Sequence, residues 1–426
     1  MRYHRIRGQK RRGALVPLAA LLMIPVMGMC AFSIDAGYIV LVQTDLQNAA
    51  DAAALAGAEQ LQEQYVQYTL PSLTSGQQQT VLTDTTTNVA PSGTYGTTNY
   101  VPGSPMYTAE QYAHYNKAGS VALTVPNSDV TFGFTDQNRN YTSYDGSTFP
   151  NTITVVTRRD TTANNPIDLF FGPLYNKSQQ SLTATASSTI YSGNVTNLTP
   201  ISGVDAHILP VALDINIWKN FYTTGLSPDG TKHYSPINGL PEIKVYPNNT
   251  NTPGSFSLVD VGPASTKTPT FRSWIDNGET PNDIQYLLDN NLLPVSPVNS
   301  QGDPGPKNWP VGPGMTSTLV SDFQSEMGKP NLIPLFIPKD SSPSTYTAAY
   351  GTGSNATYNI AGFVSVTLSE ASGSGNANMT IAIQPMAIVD PTAVIQSMPV
   401  GTQSSWFSSS STTIPDTTFI SAKLTK

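Results

Sequence analysis

Few residues in this chain have the types and spacings that catalysis requires. The four histidines, His4, His114, His207 and His233, stand singly, and no His-x-His or His-Glu-x-x-His run offers a zinc-binding pair. The chain has one cysteine, Cys30, and no Gly-x-Ser-x-Gly run that would expose a nucleophilic serine. The sequence therefore predicts no enzymatic activity, no metal centre and no cofactor.

One polar run has part of the pattern of a calcium-binding loop. Asp136, Asn138 and Asn140 occupy alternate positions, as the first ligands of such a loop do. The loop also needs a glycine at its sixth position and a bidentate glutamate at its twelfth, where this chain has Tyr141 and Ser147. The run therefore predicts a polar turn.

The chain opens with a basic segment followed by a long uncharged one. The uncharged run extends from Gly13 to Ile34, and as a helix rising 1.5 Å per residue it would cross the ~30 Å apolar core of a bilayer. Basic residues are retained on the cytoplasmic side of a membrane. Those of this segment are Arg2, Arg5, Arg7, Lys10, Arg11 and Arg12. We expect a cytoplasmic segment at 1–12, a transmembrane helix at 13–42 and export of the rest, with a cleaved signal peptide as the alternative.

The charge of the part beyond the span limits its partners. After Arg12 the chain carries 15 basic residues against 28 acidic ones, a net charge of −13. Such a charge disfavours nucleic acid and anionic lipid as partners. Since Cys30 lies in the span, the exported part has no internal disulfide and must be stabilised by buried apolar area.

An alanine-rich stretch follows the span. Its small and apolar residues recur every three or four positions, which places them on one face of a helix. The residues on this face are Leu46, Ala49, Ala50, Ala53, Ala56, Gly57 and Leu61, and Gly37, which lies before the stretch, is a further expected helix-packing position. A small face lets helices approach closely, which suits lateral docking to other subunits. Alanine also favours any helix, so a stiff stalk at 43–68 is the alternative. Span and stalk together predict one helix from about 14 to about 68, roughly 80 Å long.

Asp35 lies directly after the uncharged run. A carboxylate close to lipid is costly unless it is paired. It is therefore expected either at the membrane interface or as a partner for a neighbouring subunit's charge during assembly.

Residues 11–58 resemble the N-terminal region of TadE- and TadG-type proteins of the Flp (Tad) pilus system. The resemblance rests on Arg11-Arg12-Gly13, the apolar span, the run Ser33-Ile34-Asp35-Ala36-Gly37-Tyr38 and the alanine-rich run 46–58. A second block, 151–186, is similar in having Phe170-Phe171-Gly172 between two strand patterns. The resemblance implies a pilin-like N-terminal helix and a role in assembling or anchoring adhesive pili on bacterial surfaces.

Two departures limit what the resemblance implies. Pilins that prepilin peptidase cleaves have glutamate five residues after the cleavage glycine, where this chain has Leu18 after Gly13. Cleavage at Gly13 therefore stays open. Some TadG-type proteins carry a von Willebrand A domain with an Asp-x-Ser-x-Ser metal site. That spacing occurs in this chain at Asp340, Ser342 and Ser344, but we expect no metal-dependent adhesion site of that kind here.

The composition of the remainder predicts an α+β fold that is mainly β, with a few short helices after the long one. Charged residues are only 12 % of the chain, and threonine, serine, glycine and proline are abundant, as in short strands joined by many turns. We expect a loop-rich insertion with short strands at 69–150. A β-rich exported domain would follow at 151–426, as one lobe or as two lobes divided near 200.

Three local patterns are specific enough to place elements. Tyr358–Leu368 and Met379–Val389 predict a β-hairpin. Thr280 followed by Pro281 predicts the capped start of a helix. The run 315–327 predicts another helix, which has one apolar face and ends before Gly328.

The stretch 303–314 is rich in proline and glycine and predicts a rigid loop. Trp309 within it has two interpretations. The loop is either a structural connection or a surface contact with Trp309 as the exposed anchor.

These patterns together predict a membrane-anchored protein of the bacterial cell envelope that acts in pilus assembly, anchoring or surface adhesion by packing. The expected partners are the lipid bilayer, other pilus-system or pilin-like subunits, and a surface glycan or protein ligand. A stand-alone membrane-tethered adhesin is one alternative. A membrane-tethered envelope hydrolase is another, and a pocket joining His207 or His233 to carboxylates would support it.

Overall fold

The structure of the protein is a computed structural model. It describes residues 15–425 apart from short gaps at 72, 94–101, 247–255, 264–267, 298–303, 313–314, 341, 343–344, 353–354, 374–378 and 402–413. The basic residues Arg2, Arg5, Arg7, Lys10, Arg11 and Arg12 and the glycine Gly13 lie outside the described residues, so the orientation they predict stays a prediction.

The described residues form one very long helix and six short ones. They are α1 Leu15–Tyr68, α2 Ser75–Thr86, α3 Pro105–His114, α4 Ile215–Thr224, α5 Thr268–Asn277, α6 Pro281–Asp289 and α7 Val320–Ser325. Short 3-10 turns lie at Asn127–Asp129, Gly172–Tyr175 and Ser317–Leu319.

Short strands make up most of the rest of the described chain. They are β1 Lys117–Ala118, β2 Val121–Ala122, β3 Val130–Thr135, β4 Tyr141–Ser143, β5 Thr152–Arg159, β6 Ile167–Asp168, β7 Gln179–Gln180, β8 Leu182–Thr189, β9 Tyr191–Leu198, β10 Val211–Asp214, β11 His233–Tyr234, β12 Pro241–Tyr246, β13 Phe256–Leu258, β14 Lys307–Pro310, β15 Pro330–Ile337, β16 Thr357–Ser372, β17 Thr380–Pro385, β18 Ala393–Pro399 and β19 Lys423–Leu424. The predicted fold class, a long N-terminal helix followed by a β-rich region with a few short helices, is confirmed.

Helix α1 is continuous over 54 residues and contains Pro25. Its observed bounds confirm the helix predicted from about 14 to about 68. At 1.5 Å per residue it is about 80 Å long. Most of the large apolar side chains in its first half are exposed. By the globular part we mean the described residues after Tyr68.

The second half of α1 lies against a five-stranded antiparallel sheet, the first sheet. The strand order is β19-β8-β5-β3-β4. Ile153 and Val155 of β5 and Ala184 and Ala186 of β8 are buried in one core with the alanines of α1. Because β3 pairs with β5, the first sheet crosses position 150, where the sequence suggested a boundary between an insertion and a domain.

The stretch expected to be a loop-rich insertion contains two helices that the sequence reading missed. Thr74 and Gln77 form a capping box at the start of α2, and Ser104 caps α3 before Pro105. Helix α2 is polar over most of its length and shows almost no apolar stripe, which is why periodicity did not reveal it. Both helices pack beside α1, so they belong to the same core.

A second sheet and a second core are built mainly from residues after 200. The strand order is β11-β12-β17-β16-β15-β10-β13, with β14 added alongside β16. All its pairs are antiparallel except β10 with β15. Its core includes Trp218 of α4 and Phe271 of α5. Strands β9 and β18 form a separate antiparallel ribbon, and Val195 and Leu198 of β9 are buried in the second core.

The local sequence patterns had mixed outcomes. The hairpin is confirmed, since β16 pairs with β17. The helix start at Thr280 is also confirmed, because Thr280 and Asp283 form a capping box and Pro281 is the first residue of α6. The helix predicted at 315–327 is shorter, a 3-10 turn at Ser317–Leu319 followed by α7.

Replacing Gly57 by leucine tests the close approach of α1 to its surroundings. A Cβ at Gly57 would meet Ile153 Cδ1 at 2.6 Å and Ala109 Cβ at 3.1 Å. We expect Gly57→Leu to lower the free energy of unfolding by about 1–3 kcal/mol, since the added side chain separates packed elements. Gly37→Leu is the matched control, because a Cβ at Gly37 meets nothing within 4 Å. Urea unfolding of the full chain in detergent measures both, and equal losses would contradict the packing.

Glu279 makes stability depend on pH. Its side chain is fully buried in the second core, where Oε2 accepts a hydrogen bond from the Ile208 N–H at 3.1 Å. Burial raises the pKa of this carboxyl well above its ordinary 4.5. The folded state therefore keeps a proton that the unfolded chain releases above that value, so stability falls as pH rises from about 4.5 towards the folded-state pKa.

We expect Glu279→Gln to raise the melting temperature relative to the natural chain, by more at pH 8 than at pH 5. The amide keeps the shape of the side chain and has no proton to lose. Melting curves at the two pH values measure this. Glu59→Gln, on the exposed surface of α1, is the control for loss of one acidic side chain. A gain at Glu279 that does not change with pH would count against a buried neutral carboxyl.

Candidate functional site

The two halves of α1 have opposite surroundings. Between Leu18 and Ile34 the large apolar side chains point outward; Leu21, Leu22 and Ile24 are 67 %, 56 % and 71 % exposed. From Val42 onward one side of the helix is buried. Among the described residues, α1 is the one helix that is long and apolar enough to cross a membrane, judged by length and composition. The transition between the halves is the candidate functional site.

The small face of α1 packs on its own chain. The residues that are buried here are Leu46, Ala49, Ala50, Ala53, Ala56 and Gly57. Leu46, Ala49, Ala50 and Ala53 lie in one core with β5, β8 and α3, and Gly57 faces Ile153 and Ala109. The chain's own first sheet therefore covers this face, where the sequence suggested another subunit or a stiff stalk, and docking of α1 to another subunit stays a prediction. Gly37 lies before this contact and is exposed.

Hydrogen bonds fix α1 along the first sheet. Near the start of the contact, Gln43 Nε2 donates to the Thr183 carbonyl at 2.8 Å. In the buried middle, Thr157 Oγ1 of β5 donates to the Leu46 carbonyl at 2.8 Å. Apolar packing between smooth alanine faces leaves the axial position of a helix weakly specified, so these directional bonds hold its register.

Asp35 is held by the peptide N–H groups of a loop. The residue is only 6 % exposed, and its carboxylate accepts hydrogen bonds from Phe170 N at 2.8 Å and Phe171 N at 3.0 Å. Two oriented N–H dipoles can stabilise a carboxylate without a cation. Asp35 thus bonds to peptide groups of its own chain. The sequence had suggested that it lies at the membrane interface or pairs with a charge of a neighbouring subunit.

The loop that holds Asp35 connects β6 to β7. We call residues Leu169–Tyr175 the apolar loop. The Phe170 ring packs edge-on against Tyr38 of α1 with centroids 5.4 Å apart. Tyr175 Oη donates to the Gly28 carbonyl at 3.2 Å. The sequence signal for this loop was the Phe-Phe-Gly run, but its partner on α1 lies 135 residues away from Phe170.

Gly172 allows the apolar loop to turn. A Cβ at this position would lie 2.1 Å from the Lys177 carbonyl oxygen, so only glycine fits. The Lys177 N–H in turn donates to the Gly172 carbonyl at 3.0 Å, and Leu169 N donates to Ser178 O at 2.8 Å. The loop is thus closed on itself before it meets α1.

Trp309 is a core residue, and its interpretation as an exposed anchor is wrong. Its side chain is fully buried, and Nε1 donates to the Leu292 carbonyl at 2.8 Å. The Phe363 ring packs edge-on against it at 5.9 Å. Part of the proline-rich stretch forms β14 and pairs with β16, which turns the indole into the second core.

His207 and His233, each beside a carboxylate, do not assemble the parts of a catalytic triad. His207 Nδ1 lies 3.6 Å from Asp390 Oδ2. His233 Nε2 contacts both Asp229 Oδ2 and Thr231 Oγ1 at 2.7 Å, whereas a relay needs the carboxylate and the nucleophile on different ring nitrogens. In the part of the chain that the structure describes, no three His, Cys, Asp or Glu side chains cluster to hold a metal.

The run that resembled half of a calcium loop forms a turn. Asp136 Oδ1 accepts the N–H groups of Asn138 and Asn140, each at 2.8 Å. Its other oxygen accepts from the Asn140 side-chain amide at 2.9 Å. The carboxylate is thus used to close the polar turn that the sequence predicted.

The helix of this site matches the model of a known sequence family over part of its length. Residues 13–60 match the putative Flp pilus-assembly TadE/G-like family. The match confirms the suspected resemblance over this segment, which we call the Tad segment. It includes Asp35 and the small face of α1, whereas the block around Phe170 lies outside it. No curated protein and no solved structure matches the chain.

Removing the Asp35 carboxylate tests the clamp on the apolar loop. We expect Asp35→Ala to speed hydrogen exchange at the amides of Phe170 and Phe171, since these N–H groups lose their acceptor. The cost to stability should be about 1–3 kcal/mol. Ser33→Ala is the control, because Ser33 Oγ donates only within α1, to the Met29 carbonyl at 2.8 Å. Exchange mass spectrometry of the full chain in detergent reads both, and unchanged exchange in Asp35→Ala would refute the clamp.

Proposed function

We propose that this protein is a membrane-anchored component of a Flp-type pilus system that acts in pilus assembly or anchoring. The observation that carries the proposal is the division of the Tad segment. Its first part is an apolar, exposed helix, and its second part is built into the core of a globular region. A helix of this kind links a membrane to a folded domain without a flexible joint.

The proposal includes an orientation. The basic residues before Gly13 place the N-terminus in the cytoplasm and the globular part outside it, in the bacterial cell envelope. There the globular part would present surface to other pilus components or to a surface ligand. A role in adhesion and a pilin-like docking of α1 are parts of the proposal that rest on the family resemblance.

Packing, and not catalysis, is the proposed mode of action. Since the alanine face of α1 is covered by the first sheet, contacts with other helices would use the exposed side chains between Pro17 and Leu41. Gly37 lies in this half with open space beside it, where another helix could approach closely. The single histidine–carboxylate pairs give no support to the hydrolase alternative.

An in-frame deletion of the gene tests the proposal. We expect cells lacking the protein to lose both surface fibres, seen by electron microscopy, and attachment to a surface, because an assembly component is needed before fibres form. Re-expression of the natural chain from a plasmid is the control and should restore both.

Two other outcomes would change the assignment. Intact fibres with lost attachment would make the protein an adhesin presented on or beside the pili. Intact fibres with unchanged attachment would contradict a role in the pilus system. Co-purification of pilus components with the full chain from detergent-solubilised membranes is the biochemical counterpart, and a monomer free of them would argue against the assembly role.

A further inference from the structure

The apolar loop exposes an unusual amount of apolar surface for so short a segment. Phe170, Leu174 and Tyr175 are 66 %, 75 % and 58 % exposed. Leaving each such side chain in water forgoes roughly 1.5–3 kcal/mol of burial free energy. A patch of this kind marks a surface that contacts something other than water.

The position of this patch along α1 indicates what it contacts. Tyr175 Oη reaches the Gly28 carbonyl, seven residues before Asp35. At 1.5 Å per residue this level lies about 10 Å below Asp35, along the helix towards its N-terminus. Gly28 is inside the uncharged run that ends at Ile34, so the tip of the loop lies beside the part of α1 that the bilayer would surround.

The surface of the loop continues that of the apolar helix. Tyr175 lines a crevice together with Ile24, Pro25, Gly28, Met29, Phe32 and Ser33. Loop and helix thus form one apolar surface whose two parts are joined by hydrogen bonds at Asp35 and Gly28. Whatever solvent surrounds α1 at this level also surrounds the loop.

The two residues that follow the apolar loop have side chains typical of the boundary between lipid and water. Asn176 and Lys177 are exposed and polar, and they lead the chain back into β7. A lysine next to an apolar surface can extend its ammonium group to lipid headgroups while its stem stays in the apolar layer. Tyrosine is also enriched at this boundary, with its ring in the apolar region.

We propose that the apolar loop inserts into the outer leaflet of the bilayer beside α1 and contacts lipid acyl chains through Phe170, Leu174 and Tyr175. This inference rests on the proposed membrane anchoring and adds a second lipid contact to it. Two contacts joined at Asp35 hold the globular part at a defined height and tilt above the membrane, which a single helix cannot do. The partner is the apolar layer of the lipid, and its headgroup charge does not matter.

Depth-dependent fluorescence quenching of the full chain in phosphatidylcholine nanodiscs tests this inference. The native thiol is removed by Cys30→Ala, and single cysteines are then introduced and labelled with an environment-sensitive dye. Leu174→Cys reports on the loop, and its side chain is exposed, so the change leaves the fold intact. Leu22→Cys reports on the middle of the span, and Lys232→Cys, exposed on the globular part, reports on water.

We expect nitroxide-bearing acyl chains to quench most of the dye fluorescence at positions 174 and 22, and aqueous iodide to quench it only at 232. Iodide quenching at 174 equal to that at 232, with lipid quenching at 22 intact, would overturn the loop insertion and leave the anchor standing. Lack of lipid quenching at 22 would overturn the anchor and the insertion together. Shielding of 174 from both quenchers would place protein on the loop and refute lipid as its partner.

Discussion

The arrangement of this molecule depends on how closely α1 can approach β5 and β8. Side chains at Ala49, Ala50 and Ala53 end at a single methyl group, so the helix lies almost directly on the sheet. The approach is tightest at Gly57, where even a Cβ would meet Ile153. One helix is therefore shared between an apolar projecting half and a packed half, and any movement of the first sheet moves the projecting half with it.

The junction between these halves contains a carboxylate next to an apolar stretch. Such a carboxylate is costly unless it is paired, and here it is Asp35, directly after the uncharged run. The peptide groups of Phe170 and Phe171 supply the compensating dipoles. Because backbone donors carry the interaction, the side chains of the same loop remain free to be apolar. The residues that satisfy the charge thus also provide the exposed aromatic surface beside the helix.

The second core contains no side chain from the described part of α1. Its largest buried side chains, such as Trp218, Trp309 and Phe336, come from elements after residue 200. Strand β9 of the ribbon adds Val195 and Leu198 to it. The first core is therefore the part that joins the apolar helix to the molecule.

The sequence by itself determined the features whose causes are local. Three such features depend only on neighbouring residues: the uncharged run from Gly13 to Ile34, the alanine periodicity after it, and the Thr280–Pro281 cap. They predicted α1, its apolar half and α6 without knowledge of the fold. The Tad segment was recognisable for the same reason.

The tertiary structure decided which surfaces meet. Asp35 is joined to Phe170, and Trp309 is covered by a strand fifty or so residues further along the chain. A small helical face can pack equally well on another helix or on a sheet, and a carboxylate can accept a bond from any nearby donor. Such choices follow from which distant strands pair, and strand pairing at long range is set by the folding of the whole chain and not by the pattern of any one segment.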